Sequence, residues 1–197
     1  MNKMLNLAYR SYVFMISTFA LPLALVFIVF GWISITLNAY KDVSILASRI
    51  PFMYGQRVRY FYYKATLRSL GSNVIFNYGT FCQYPNAIIG NRILFGYFNT
   101  IGEVQMGDDI VIGGYVNFIS GTNQHSFENR NEKISEQFAG GRRVISIGSD
   151  VWIGSNAIIA SDIGTRCVIG AGSLLVKPAE SYGVYGGNPA KLLKNIN

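Results

Sequence analysis

Ile147-Gly148-Ser149-Asp150-Val151-Trp152-Ile153-Gly154-Ser155-Asn156-Ala157-Ile158-Ile159-Ala160 holds the pattern that decides the fold. A large aliphatic residue followed by Gly or Ala returns every six positions, at 147, 153 and 159. The spacing extends both ways. Upstream stand Ile89-Gly90, Phe95-Gly96, Ile101-Gly102, Met106-Gly107, Ile112-Gly113 and Phe118; downstream stand Ile163-Gly164, Ile169-Gly170 and Leu175. Two slips interrupt it, one residue short before Met106 and two short before Ile163. Four positions after an anchor comes a second, mostly small or aliphatic residue: Ile110, Val116, Val151, Ala157, Cys167, Ser173.

A six-residue period is neither the 3.6 of an amphipathic helix nor the plain alternation of a hairpin strand. It describes a solenoid of very short strands, each hexad turning one large side chain inward. Gly lets the chain round the corner where a Cβ would clash. No single coil can bury its own apolar face, so stacking is what creates the core.

These hexads, with Val151-Trp-Ile-Gly154, Ile169-Gly-Ala-Gly-Ser173 and Gly187-Asn-Pro-Ala-Lys191, resemble the hexapeptide-repeat acyltransferases. Galactoside, maltose and capsule or exopolysaccharide O-acetyltransferases are the look-alikes, over about residues 71–197. The resemblance implies an all-β, left-handed parallel β-helix, acetyl-CoA as co-substrate without a metal, and a homotrimer with its active site between subunits. His125, the single histidine, lies in Gly121-Thr-Asn-Gln-His-Ser-Phe127 at the start of the one long interruption, 121–146, where the family keeps its catalytic histidine. A neutral imidazole can take the hydroxyl proton at cytosolic pH. Asn123 and Trp152 match places beside the acceptor or the pantetheine arm, although a turn role for Asn123 and a wall role for Trp152 stay open. Ser155, Ala171, Gly172, Lys177 and Lys191 match the family's CoA-contacting places, the lysines opposite phosphates. The sequence departs from the family at Ile158–Gly164, which lacks a two-residue Pro-Gly corner, and at Pro178-Ala-Glu-Ser-Tyr182.

Charge separates the remaining function classes. Residues 1–70 carry eight Lys/Arg against the single acid Asp42, so the whole net charge of +7 lies there; residues 71–197 are neutral. The folded part therefore has no basic stripe for nucleic acid. Ser11–Tyr40 contains no charged residue, long enough to cross a bilayer. A cleaved signal sequence is the competing reading, but no A-x-A-like site follows. Pro22 and Gly31 are candidate kink points. We divide the chain into a membrane segment (1–42), a basic, aromatic amphipathic helix (43–70) and the β-helix domain (71–197) with a C-terminal arm (177–197). Arg57, Phe61, Lys64 and Arg68 share one helical face suited to headgroups. Contact with the membrane is expected through residues 11–68. Five net positive charges over 41–70, against two on the N-terminal flank, place the body on the cytoplasmic side of the inner membrane.

The expected reaction is acetyl transfer to a sugar hydroxyl of a surface polysaccharide or its lipid-linked precursor, with a glycan or glycolipid as partner. An amino-sugar nitrogen or a small xenobiotic is the alternative acceptor, and a non-catalytic scaffold the other alternative. Two cysteines and one histidine make neither a disulfide framework nor a zinc site.

Overall fold

The computed structural model describes residues 3–121, 128–137 and 140–197. Three helices precede the solenoid: α1 (Lys3–Thr36), α2 (Tyr40–Ser48) and α3 (Phe52–Thr66). α1 is one helix with Pro22 inside it. Residues 43–70, expected as a single helix, are divided between α2, α3 and the first strand. The break falls at Arg49–Pro51, because a proline drives the residue before it out of the helical region.

The body is a parallel β-solenoid. Its first three coils are β1 (Ser69–Leu70), β2 (Ile75–Phe76) and β3 (Phe81–Cys82); β4 (Ile88–Ile89), β5 (Ile93–Phe95) and β6 (Thr100–Ile101); and β7 (Val104–Met106), β8 (Ile110–Ile112) and β9 (Asn117–Phe118). After the interruption come β10 (Ile145–Ile147), β11 (Val151–Ile153) and β12 (Ile158–Ile159), then β13 (Val168–Ile169) and β14 (Leu174–Leu175), and last β15 (Gly183–Gly186). β16 (Lys191–Asn195) folds back antiparallel on β15 and closes the stack. Three sheets result: β1-β4-β7-β10, β2-β5-β8-β11-β13-β15-β16 and β3-β6-β9-β12-β14.

The hexad anchors stack in register. One ladder runs Leu70, Ile89, Met106, Ile147, Ile163, Ala179. The second runs Phe76, Phe95, Ile112, Ile153, Ile169, Tyr185, and the third Cys82, Ile101, Phe118, Ile159, Leu175. All of these side chains are buried in one continuous cluster. Cys167 is buried as well, and both thiols are free.

Two of the three corners use left-handed backbone. Asn73, Arg92, Asp109, Asp150, Arg166 and Tyr182 form one such column; Gly79, Phe98, Tyr115, Asn156 and Gly172 form the other. Non-glycine residues pay about 1–2 kcal/mol for this conformation. In the second column ring stacking offsets it, Phe98 lying 5.1 Å from Tyr115 at 18°. At Gly154 the constraint is space: a Cβ there would come within 2.4 Å of the Ala171 amide nitrogen. The short sequence Ile158–Gly164 shows its effect in the first sheet, where Ile163 pairs only as an isolated bridge to Ile147 and Ala179.

α3 caps the first coil. Tyr62 and Tyr63 are fully buried, the Tyr63 ring 4.6 Å from that of Phe76. The Tyr63 hydroxyl accepts from the Cys82 amide at 3.2 Å and shares a 2.8 Å hydrogen bond with Ser44. Burial pushes the ionisation of this phenol and of the Cys82 thiol well up, so both stay neutral.

Candidate active site

The outer face of the sheet β3-β6-β9-β12-β14 gathers most of the chemistry. At one edge, the corner after β11 holds Ser155, and the equivalent corner one coil on holds Ala171 and Gly172. The two are tied together: the Gly172 amide donates to the Ser155 carbonyl at 2.9 Å. Ser155 Oγ accepts from the Gly114 amide at 3.2 Å, so this hydroxyl already braces the coil below. Gly172 has φ +68°, and a Cβ built on it meets no atom within 4 Å. Ser155, Ala171 and Gly172 are all exposed. The corner is thus a strip of small residues and peptide groups that an elongated ligand can approach closely.

Lys191 joins this edge through the hairpin Gly187–Ala190, whose Ala190 amide donates to the Leu174 carbonyl at 2.8 Å. Lys177 does not; it lies beyond β14, at the opposite edge of the same sheet. Trp152 stands on the outside of the neighbouring sheet, in register with Val111 and Val168, and its side chain is 58% exposed.

The opposite edge holds the roots of the interruption. The Arg143 amide donates to the Ser120 carbonyl at 2.7 Å, which pinches the two ends of the loop together. Arg143 forms an ion pair with Asp162, whose other oxygen accepts from the Ser146 amide at 2.9 Å. Arg142 bonds Glu103 at 3.1 Å, and its guanidinium lies 4.1 Å from the centre of the Tyr84 ring. His125 and Asn123 lie outside the described residues.

Beside these roots is a depression of about 340 Å³ bordered by Gln83, Tyr84, Thr100, Asn117, Ser120 and Ile158. A second, of about 550 Å³, shares Gln83 and Tyr84 and continues past Arg142 to Asn38 and Lys41, at the C-terminal end of α1. Sequence reading missed this groove. Its walls come from the first coil, the third coil and the loop base, and no short-range pattern links them. A larger cavity of about 880 Å³ lies elsewhere, between α1, the start of α3 and the corner residues Tyr78, Tyr97 and Phe98. Among the described residues no three His, Cys, Asp or Glu side chains are grouped to hold a metal ion.

No protein-family model matches the chain. A probable macrolide acetyltransferase of Lysinibacillus sphaericus is 34% identical over 121 residues, 57% of this chain and 64% of that protein. A chloramphenicol acetyltransferase of Klebsiella aerogenes is 52% identical over 50 residues, 24% of each chain. The galactoside O-acetyltransferase of Escherichia coli is 32% identical over 130 residues, 63% of this chain and 59% of that protein. The chain therefore spans less than two thirds of each of these relatives. Among solved structures, a maltose O-acetyltransferase from Clostridium difficile superposes with a TM-score of 0.66 at 23% identity, over 80% of this chain and 85% of that one. A hexapeptide-repeat acetyltransferase of Vibrio cholerae, solved in complex with acetyl coenzyme A, superposes with a TM-score of 0.53 at 25% identity, over 71% and 76%. In sequence the chain has named acetyltransferases as relatives, and in fold it resembles the hexapeptide-repeat acetyltransferases.

Proposed function

We propose that the protein is an acetyl-CoA-dependent O-acetyltransferase acting on a sugar hydroxyl of a membrane-linked glycan. The observation that supports it best is the single sheet face joining a strip of small residues at Ser155–Ala171–Gly172 to a polar groove at the loop roots. Acetyl-CoA supplies the activated acetyl thioester. Ser155, Ala171 and Gly172 let its pantetheine arm approach the backbone, while Lys191 at the same edge neutralises its phosphates. His125 takes the acceptor proton as the hydroxyl oxygen bonds to the acetyl carbon. The C–S bond breaks, and the sulfur leaves as the thiol of CoA once protonated. Asn123 orients the acceptor.

The coil is read as left-handed and the assembly as a homotrimer, as in the family it resembles. An exposed apolar column supports the assembly: Ile75, Leu94, Val111 and Trp152 on the outside of the sheet led by β2. His125 of one subunit then faces the donor corner of the next. Membrane attachment rests on Ala8–Thr36, a stretch long and apolar enough to cross a bilayer by length and composition. The charge distribution over 1–70 favours the cytoplasmic face.

A small xenobiotic is the second reading, favoured by the names of two of the relatives. One experiment separates the two. Purified protein is given acetyl-CoA with either detergent-extracted membrane glycolipid or chloramphenicol and a macrolide, and CoA thiol release is followed. We expect release with the glycolipid alone, its abolition in His125→Ala, and loss of glycan acetyl groups in a strain carrying that variant. Release with the antibiotics alone replaces the first reading by the second, and equal rates in His125→Ala remove the base from the mechanism.

A further inference from the structure

The feature that the reaction leaves unexplained is the direction of α1. At about 1.5 Å per residue its 34 residues reach roughly 50 Å, more than the roughly 30 Å of a hydrocarbon core. Composition alone makes it a spanning helix. Its neighbours argue otherwise.

α1 runs alongside α3, and in the same direction. The Tyr54 hydroxyl donates to the Phe19 carbonyl at 3.4 Å, and eleven residues on in α3 the Ala65 carbonyl accepts from Trp32 Nε1 at 3.2 Å. Between these points Ala20, Ala24 and Val58 form a buried cluster. Gly31 lies so close to α3 that a Cβ on it would meet the Tyr62 ring at 2.6 Å. The N-terminal half also keeps to the body. Tyr9, Arg10 and Val13 share a cavity wall with Ser72–Ile75, and Tyr12 and Ile16 share another with Tyr78 and Phe98. At the far end Ile35 and Asn38 border the groove with Tyr84 and Asn86.

If residues 12–34 crossed the bilayer, α3 and the first coil would lie at the same depth. Arg57 and Lys64, which are not buried in the protein, would then enter hydrocarbon at about 2.5–3.5 kcal/mol each. The first coil would bring its exposed polar residues Ser69, Ser72 and Asn73 to the same depth, where lipid offers them no partner.

The outward side of α1 is nevertheless apolar. Ala20, Ala24, Ile28, Gly31 and Ser34 face the protein, and Phe14, Phe19, Leu25, Val29, Phe30 and Trp32 are exposed. An in-plane helix that was wet on one side would need a polar face. Here protein covers that side, so none is required. Exposed bases in the same segment, Arg10, Lys41, Arg49, Lys64 and Arg68, face no acid within it except Asp42. This is the charge complement of an anionic bilayer surface.

We propose that α1 lies in the plane of the membrane, its exposed apolar side sunk into one leaflet of an anionic bilayer, and does not cross it. The inference rests on the membrane attachment proposed above and specifies its form. The groove at Asn38 and Lys41 then opens at headgroup level, where the head of a lipid-linked sugar resides.

The test uses the full chain in proteoliposomes of phosphatidylethanolamine and phosphatidylglycerol, with single Ala8→Cys, Leu37→Cys, Val29→Cys and Glu180→Cys variants and a membrane-impermeant maleimide. Cys82 and Cys167 are buried, and the unsubstituted protein gives their background. In vesicles with the body outside, we expect external reagent to label Ala8→Cys, Leu37→Cys and Glu180→Cys alike. Val29→Cys should be shielded while the bilayer is intact and react in detergent. Labelling of Ala8→Cys only after the vesicles are opened, with Leu37→Cys and Glu180→Cys labelled outside, means a span and overturns the in-plane placement while leaving attachment intact. Protein that stays in the supernatant overturns both, whatever its acetyl-transfer rate.

Discussion

Arg59 Nε donates to the Phe76 carbonyl oxygen at 2.9 Å, from a side chain with no exposed surface. The same guanidinium reaches back through Nη1 to the carbonyls of Ala47 (3.2 Å), Ser48 (3.3 Å) and Ile50 (2.8 Å). Ala47 and Ser48 end α2, where carbonyls lack an i+4 helical partner, and Ile50 follows it in the link to α3. One residue of α3 therefore ties α2 to the first coil of the solenoid. Gly55 permits it, since a Cβ there would sit 1.9 Å from the Ile50 oxygen. Desolvation draws the guanidinium down to about 10, so it remains charged at neutral pH.

Removing that side chain takes the donor from the Phe76 and Ile50 carbonyls, while Ser48 keeps the Gly79 amide at 2.9 Å and Ala47 the Ile50 amide at 3.5 Å. Arg59→Ala should cost about 2–6 kcal/mol, because each of the two carbonyls left without a donor costs about 1–3 kcal/mol, and lower Tm by roughly 10 °C. Arg59→Lys should recover less than half, because an ammonium cannot present the planar fork that meets both Phe76 and Ile50. Thermal denaturation by circular dichroism reads both. An Arg59→Lys protein as stable as the parent would show that charge alone holds the cap.

The inward ladder makes a sharper contrast. Phe95 is fully buried, its ring stacked on that of Phe76 with centroids 4.8 Å apart and planes at 5°. Phe95→Ala should destabilise by about 3–5 kcal/mol. Gln105 points outward from β7, and Gln105→Ala should stay within about 0.5 kcal/mol. Urea melts of the two variants measure the difference; similar losses would mean that the hexads do not dictate which side chains form the core.

Stability should fall in acid through a surface pair. Asp108 accepts from the Asn91 amide at 2.7 Å and from its side chain at 3.0 Å, which holds its carboxyl below the usual carboxylate range. Asp109 is lowered by its two bonds from Arg92, at 2.6 and 2.8 Å. A depressed folded-state value means that the contribution is complete above the unfolded-state value of about 3.9 and is lost as pH falls through the folded one. Tm should therefore be flat down to about pH 5 and drop below pH 4. In Asp108→Asn with Asp109→Asn the drop should be shallower, while an unchanged slope would assign acid lability to other carboxylates.

The body was legible because its pattern is physical at every step. Ile147, Ile153 and Ile159 are spaced by one strand and one corner, so each lands on a different ladder. The slips before Met106 and Ile163 fall at the corner where, among the described residues, none is left-handed, and which tolerates shortening. The cap was not legible in the same way. Nothing local in Arg59 distinguishes it from the snorkelling bases around it, since its partners are backbone atoms of α2 and β2. The groove at Tyr84 and Arg142 was hidden for a similar reason. Glu103, Arg142 and Tyr84 meet only after three coils have stacked. The fold brings Ser155, Ala171 and Gly172 together as neighbours and leaves Lys177 at the opposite edge.

The donor assignment can be tested without disturbing the coil. Ala171 is exposed, already carries a Cβ and lies outside the left-handed columns. Ala171→Asp should therefore fold normally, with Tm unchanged to within about 2 °C. If the pantetheine arm of acetyl-CoA passes this corner, the new carboxylate intrudes on its path and repels the phosphates farther along. KM for acetyl-CoA should rise at least tenfold, or about 1.4 kcal/mol, with kcat at saturating donor changed less than threefold. Ala171→Asn adds nearly the same volume without charge, so it should raise KM by a smaller factor that high salt does not reduce. The effect of Ala171→Asp should shrink as salt screens the repulsion. A donor KM equal to the parent's in both variants would move the pantetheine path away from this corner.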